Sequence, residues 1–440
     1  AAHTLQAISG TNIWNIGASE NSISNSAGTL RFENFSKLQG GSDVDTFNIN
    51  TNFTGSIKGG GDNDIFNIRA SVGSVDGEAG NDQFIFFANG EVTAGTGGDG
   101  GDEVNLSNLT GSQTVFFNGS TVKGISDVQR VTGSAGNSGN FTLTAASGSN
   151  SWKVFDVDGA ASYADGQNDG HVSNGTDTLQ FINFGHLQGG GGIDIFDIET
   201  NFVGSIKGGG GNDIFNIKAS VGNIEGEAGD DQFVFFINGA VATGAGGAGD
   251  DEVNLSNLTD PQVVTFTGNT VKGISSINRI VANANGDNTL QALSGTNTWK
   301  IADVENSGDI TNSNGTLRFE NFSKLQGGSD VDTFNIETNF TGSIKGGGAD
   351  DIFNIKAAVG NIDGEAGNDK FIFFANGEVA TGTGGDGDDT VNLSNLTDPQ
   401  TVTFTGNTVK NISSIYLVNG GSLAAHTLQA ISGTNIWNIG

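Results

Sequence analysis

Twelve Gly/Asp turns recur along this chain in a fixed register, and that register narrows the possible folds more than any other feature. In the first third they are GGSDVDTF at 40–47, GGGDNDIF at 59–66, GEAGNDQF at 77–84 and GGDGGDEV at 97–104. Equivalent turns start at 189, 208, 226 and 246, and again at 327, 346, 364 and 384. Within each set the starts are 19, 18 and 20 residues apart. Such an interval is too long for one strand and too short for a domain. It suits one coil of two or three short parallel strands joined by tight turns, stacked on further coils because no single coil can bury its own apolar face. The residues after each turn alternate apolar and polar: Phe47 and Ile49, Phe66 and Ile68, Phe84 and Phe86, Val104 and Leu106. That pattern predicts strands with one buried and one wet face, and Phe stacked over Phe inside.

A longer period encloses the coils. Trp14, Trp152, Trp299 and Trp437 each follow SGTN or SGSN, and divide the chain into repeats at 1–134, 135–286 and 287–423. Residues 424–440 are identical to residues 1–17, so the next repeat starts there and the pattern is expected to continue past both ends. The expected fold is all-β: a right-handed parallel β-helix or β-solenoid of about 18–20 residues per coil, with about seven coils in each tandem unit. At about 4.8 Å per stacked strand, some 21 coils would make a rod on the order of 100 Å long. The competing expectation, a series of antiparallel β-sandwiches with Gly-rich hairpins, would need irregular spacings.

Composition removes several classes of function. Acidic residues outnumber basic ones 49 to 18, for a formal charge of −31. This repels nucleic acid and anionic membranes and suits cations or a hydrated surface. There is no Cys, so disulfides and thiol chemistry are out. No apolar run reaches the roughly 18–20 residues of a membrane span, and no signal peptide opens the chain.

The turns resemble the repeats-in-toxin nonapeptide, G-G-x-G-x-D-x-U-x with U large and apolar. Those at 97, 189, 208, 246 and 384 fit it in full. In the others Asp43, Asp62, Asp330 and Ala349 replace the third glycine, or Glu78, Glu227 and Glu365 the second. The aspartate is present in all twelve: Asp45, Asp64, Asp82, Asp102, Asp194, Asp213, Asp231, Asp251, Asp332, Asp351, Asp369 and Asp389. The resemblance implies Ca2+ held between neighbouring coils by these aspartates and by glycine carbonyls, with Asp194 and Asp213 as the best adjacent pair. Here the motif comes once per coil, which allows one column of sites. Charge arithmetic points the same way. Stacked carboxylates about 5 Å apart repel by roughly 3 kcal/mol at an effective dielectric near 20, so the column needs a cation or must splay into water. Calcium accepts oxygen ligands in irregular geometry. The alternative is a set of plain Gly/Asp turns with solvated carboxylates.

A second resemblance covers 14–68, 152–217 and 299–355, carried by W-N-I, G-T-L-R-F-E-N-F-S-K-L-Q-G-G-S-D-V-D-T-F-N-I and F-T-G-S-I-K-G-G-G-D-N-D-I-F-N-I. These stretches are similar to the large exoproteins of the filamentous-haemagglutinin type. That likeness implies two-partner secretion from a Gram-negative bacterium and a long right-handed parallel β-helix.

Four other features bear on function. The second repeat has a surplus over 156–175, with Asp156, Asp158, Asp165, Asp169, Tyr163 and His171. It is either a tolerated polar insertion or a loop that holds a further cation. The tryptophans are expected in the core rather than as sugar-stacking platforms. Lys58, Lys207 and Lys345 precede the second turn of each repeat and are expected to neutralise the acidic column. N-x-S/T triplets at Asn34, Asn52, Asn108, Asn174 and Asn321 are what chance yields in a chain this rich in Asn, Ser and Thr.

Catalytic groupings are not evident: no Ser-His-Asp set, zinc spacing or phosphate loop stands out. The expected function is therefore structural and not enzymatic. It is that of a calcium-stiffened solenoid rod in a secreted surface fibre, adhesin stalk or biofilm matrix filament, located at the bacterial cell surface or outside it. The expected partners are further copies of itself, end-to-end or lateral, and a cell-surface or polysaccharide ligand. A surface-layer protein and a β-helical polysaccharide-acting enzyme are the two alternatives.

Overall fold

The computed structural model describes residues 3–156 and 168–430. The chain forms two compact units, Ala1–Asp231 with Asn238–Gly244, and Gln232–Ile237 with Ala245–Gly440. The division falls inside the second sequence repeat. Both units are built almost wholly from strands, and most strand pairs are parallel.

In the first unit the short strands Thr46–Ile49, Ile65–Ile68, Gln83–Phe86 and Glu103–Asn105 stack in parallel, each directly after a Gly/Asp turn. Longer strands alternate with them along the chain and form a second parallel sheet: Phe53–Gly61, Ser71–Ala79 and Glu91–Asp99. The second unit repeats the scheme with Thr333–Ile336, Ile352–Ile355, Lys370–Phe373 and Asp389–Asn392, and with Phe340–Gly348 and Ala358–Ala366. This is a parallel β-helix-like repeat architecture, as the spacing of the turns predicts. Phe47, Ile49, Phe66, Ile68, Phe84, Val104 and Leu106 are all fully buried.

Phe does stand over Phe. Trp14, Phe47, Phe66 and Phe84 form one column with ring centroids 5.4, 5.1 and 4.8 Å apart and near-parallel planes. Trp299, Phe334, Phe353 and Phe371 form another at 5.4, 5.1 and 4.9 Å. Trp152, Phe196 and Phe215 repeat the arrangement. The three described tryptophans are fully buried, so they cap aromatic columns and present no sugar-stacking face. On the outer side of the same strands Asn67 donates to Asn48 and Asn48 to Asn15, at 3.0 Å each.

The coils are not uniform. Partner strands are 18 to 20 residues apart across the Gly/Asp turns, but 27 from Asp102 to Gln129 and 33 from Asn12 to Asp45. The longest interval contains an antiparallel meander. Ile13–Ile16 pairs with Asn21–Asn25, which pairs with Gly28–Phe32, both antiparallel. The meander recurs as Ser151–Val154, Gly170–Ser173 and Thr178–Ile182, and as Thr298–Ile301, Ser307–Asn312 and Gly315–Glu320. Its last strand pairs in parallel with the strand before it in the stack, Arg130–Thr132 or Arg279–Val281. Trp14, Trp152 and Trp299 therefore each sit in a strand whose chain folds back twice before the regular stack resumes. The surplus at 156–175 belongs to this meander. Residues 157–167, with Asp158, Tyr163 and Asp165, lie outside the described residues. Gly170–Ser173 is the meander's middle strand and not loop. His171 lies there against the Phe155 ring, 5.3 Å between centroids, and Asp169 accepts the Asn183 N–H at 2.9 Å.

Candidate functional site: buried aspartate ladders

All twelve motif aspartates are at most 1% exposed. They stand where the chain leaves a turn and enters a short strand, so their backbone N–H groups precede the regular strand ladder. For Asp45, Asp64, Asp82, Asp194, Asp213, Asp332, Asp351 and Asp369 a carboxylate from the following coil accepts this N–H. In the first repeat Asp45 N–H donates to Asp64 Oδ1 at 2.7 Å, Asp64 N–H to Asp82 Oδ1 at 2.7 Å and Asp82 N–H to Asp102 Oδ1 at 2.8 Å. In the second, Asp194 donates to Asp213 and Asp213 to Asp231, at 2.7 and 2.8 Å. In the third, Asp332, Asp351 and Asp369 donate in turn to Asp351, Asp369 and Asp389, at 2.7, 2.7 and 2.9 Å. Each coil is thus tied to the next by one side-chain bond besides the backbone ladder, in which Ile65 N–H donates to Asp45 C=O at 2.9 Å.

Neutral amides close the ladders. At the head, the backbone N–H groups of Asn12, Asn150 and Asn297 donate to Oδ1 of Asp45, Asp194 and Asp332. At the tail, Asp102 N–H donates to Gln129 Oε1 at 2.7 Å. The reading of the turns missed these amides. Their signal is the Asn of SGTN and SGSN, two residues before each tryptophan.

The head aspartates differ from the rest. Asp45, Asp194 and Asp332 use Oδ2 as well, accepting from the N–H of Gly41, Gly190 and Gly328 at 2.7 Å. The Oδ2 atoms of Asp64, Asp82, Asp102, Asp213, Asp351, Asp369 and Asp389 are buried with no hydrogen-bond donor. Burial disfavours their ionised form. It raises Asp64 and Asp351 to about 8, Asp213 and Asp369 to about 7 and Asp82 to about 6, against the pull of the backbone N–H bond. Neighbouring carboxylates push the same way as burial. Protonation of the members raised furthest, Asp64 and Asp351, is thus a third way for the column to relieve its repulsion, beside a bound cation and splaying into water.

At Gly59, Gly77, Gly97, Gly208, Gly346, Gly364 and Gly384 an added Cβ would run into Oδ2 of the aspartate five residues later. A Cβ on Gly59 would come within 2.2 Å of Asp64 Oδ2 and 2.6 Å of Gly77 O, so the first glycine of the motif is required by contact with its own aspartate. The donorless Oδ2 atoms, with glycine carbonyls, would be the calcium ligands of this column: Asp64 Oδ2 and Gly77 O converge on the same point beside Gly59, and calcium takes six to eight such oxygens at roughly 2.3–2.6 Å. One oxygen of each aspartate described above already accepts an N–H, and the other accepts a second N–H or meets a glycine. Among the described residues no three His, Asp or Glu side chains converge as a metal set.

Lys58, Lys207 and Lys345 do not reach the ladder. Lys58 bonds Asp76 at 3.0 Å and Glu78 at 2.6 Å, Lys207 bonds Glu225 at 2.7 Å and Glu227 at 2.9 Å, and Lys345 bonds Glu365. They neutralise the glutamates that replace the second glycine. Gln39, Gln188 and Gln326 donate to the same glutamates from a third coil. Glu78 has φ +72°, a left-handed conformation costing of order 1–3 kcal/mol. Its two charge-assisted bonds offset that cost and tie three coils on the outer face.

Comparison with known proteins gives no match, neither to a family model nor to a curated protein.

Proposed function

We propose that this chain is a structural β-solenoid segment of a secreted bacterial surface fibre, adhesin stalk or matrix filament of the filamentous-haemagglutinin kind, coiled in the right-handed sense usual for parallel strand crossovers. The observation that carries this reading is the use of the acidic motif. The aspartates of the Gly/Asp turns are spent on holding one coil to the next, in the same geometry in all three repeats. A site for turnover has no need of such repetition, whereas a load-bearing stack needs every coil joined alike. The net charge of −31 suits a hydrated surface outside the cell.

Negative-stain micrographs of the purified chain test the proposal. Slender particles that join into filaments support it, compact monodisperse ones overturn it, and a two-dimensional lattice favours a surface layer. A calcium requirement would fall on the donorless Oδ2 atoms of the ladder aspartates and the glycine carbonyls beside them. Thermal unfolding with and without chelator tests that separately, and a fall in melting temperature on chelation assigns calcium a stiffening role.

A further inference from the structure

Chance accounts for the number of N-x-S/T triplets in this chain, but the structure sorts them by whether their side chains are already in use. An acceptor of N-linked sugar needs an accessible Asn amide and the hydroxyl two residues on. Most of the triplets have one of these groups engaged. Asn52 and Asn339 accept the N–H of Ser71 and Ala358. Asn105, Asn254 and Asn392 accept the N–H of Ser107, Ser256 and Ser394, at 3.0, 3.0 and 2.9 Å. Asn174 accepts from Thr176 and Asp177, Asn321 donates to Ala282 C=O, and Asn411 donates to Val379 C=O. The triplets at Asn118 and Asn140 have no counterpart in the other repeats.

One class recurs in all three repeats with both groups unused. It is the second half of N-L-S-N-L-T, at 105–110, 254–259 and 392–397. Both leucines of the segment are buried in every copy. The chain turns between them: Leu109 N–H donates to Leu106 C=O at 2.9 Å, and Leu258 donates to Leu255 and Leu396 to Leu393 at 3.0 Å. Anchoring the two leucines inside lifts the third residue of the turn into water. That residue is Asn108, Asn257 or Asn395, and all three are exposed, as are Thr110, Thr259 and Thr397. None of these six side chains hydrogen-bonds another described group. The fold thus uses the leucines and the first Asn of the segment. It makes no use of the second Asn or the Thr, yet both recur in every repeat.

We propose that Asn108, Asn257 and Asn395 are modification sites that carry N-linked sugar. The co-substrate class is a sugar activated at its anomeric carbon by a phosphate leaving group. A transferase sets that carbon against the Asn Nδ2. The C–N bond forms as the C–O bond to phosphate breaks, the phosphate leaves with the bonding electrons, and the amide gives one proton to a base of the transferase. A turn that projects from a rigid scaffold is open to such an enzyme after folding as well as before it. The attached sugar is bulky and solubilising, and adds a neutral hydrated layer to a surface whose charge is −31.

This inference goes beyond the structural role, and its test is separate from the micrographs that decide that role. The protein is isolated from the cells that make it and digested. Peptides spanning 105–110, 254–259 and 392–397 should carry whole saccharide increments in mass, and fragmentation that spares the glycosidic bond should place them on Asn108, Asn257 and Asn395. Thr110→Ala made in the same cells should lose the sugar from Asn108 alone, and Thr110→Ser should keep it. Thr110 is exposed and makes no hydrogen bond, so both variants should fold, and circular dichroism checks that they do. Bare peptides at all three segments, sugar confined to the other triplets, or a Thr110→Ala chain that keeps sugar on Asn108 overturns the proposal. Slender particles in micrographs of an unmodified chain would leave the structural role standing.

Discussion

At the scale of the residue, the aspartate ladder sets the chemistry. Asp64 keeps its proton in the folded state up to pH about 8, whereas the exposed side chain loses it near 3.8. Between those values the folded state binds more protons than the unfolded one, so stability from this group falls as pH rises and is fully present only below the lower value. Asp213, Asp351 and Asp369 act in the same sense. The chain should therefore melt at a higher temperature at pH 5 than at pH 8.5. Asp64→Asn retains an acceptor for the Asp45 N–H and removes the titration, so it should narrow that difference. An unchanged difference would mean that Asp64 is ionised in the fold. Gly59→Ala drives a Cβ into the Asp64 carboxylate and a neighbouring carbonyl, and should cost about 1–3 kcal/mol in chemical denaturation. Gly111→Ala, where a Cβ meets nothing within 4 Å, is the control.

At the scale of the element, the aromatic columns hold the short-strand sheet together. Phe66 is sandwiched between Phe47 and Phe84, and Phe353 between Phe334 and Phe371. Truncating either to Ala empties a closed position and removes two ring contacts, for an expected loss of about 3–5 kcal/mol. Lys58→Ala touches only half-exposed ion pairs and should cost about 0–1 kcal/mol. If the two losses were equal, the stack would owe as much to its outer face as to its core. The meander is the other notable element. It places tryptophan at the head of each aromatic column, and Asn12, Asn150 and Asn297 at the head of each aspartate ladder. One irregular segment therefore closes both columns at the same level.

At the scale of the whole molecule, the charge of −31 opposes folding through mutual repulsion of surface carboxylates. Salt screens exposed charges beyond roughly 10 Å at 0.1 M. The melting temperature at neutral pH should rise between 10 and 150 mM NaCl, and a flat response would place the dominant repulsion inside the buried ladders, where salt does not reach. Coils pack chiefly on their immediate neighbours, so such a stack has no single core that ends where a sequence repeat ends. The two compact units accordingly part within the second repeat rather than at its border.

The turn spacing by itself determined that coils stack in parallel, which residues face inward, and that Phe meets Phe, because a stack can repeat a register only if its inner face is apolar at every step. It also singled out the twelve aspartates. Where those aspartates point was decided by tertiary structure. Motif spacing is the same whether a carboxylate faces a cation outside or a backbone N–H inside. The choice depends on an N–H left unpaired one coil away, and that lies 18 to 20 residues distant in the chain. The lysines and the meander were likewise settled only in three dimensions. Lys58 meets Glu78 because parallel stacking sets them side by side. The strands that follow Trp14, Trp152 and Trp299 run antiparallel because short turns fold the chain back on itself, and apolar-polar alternation is the same in either strand direction.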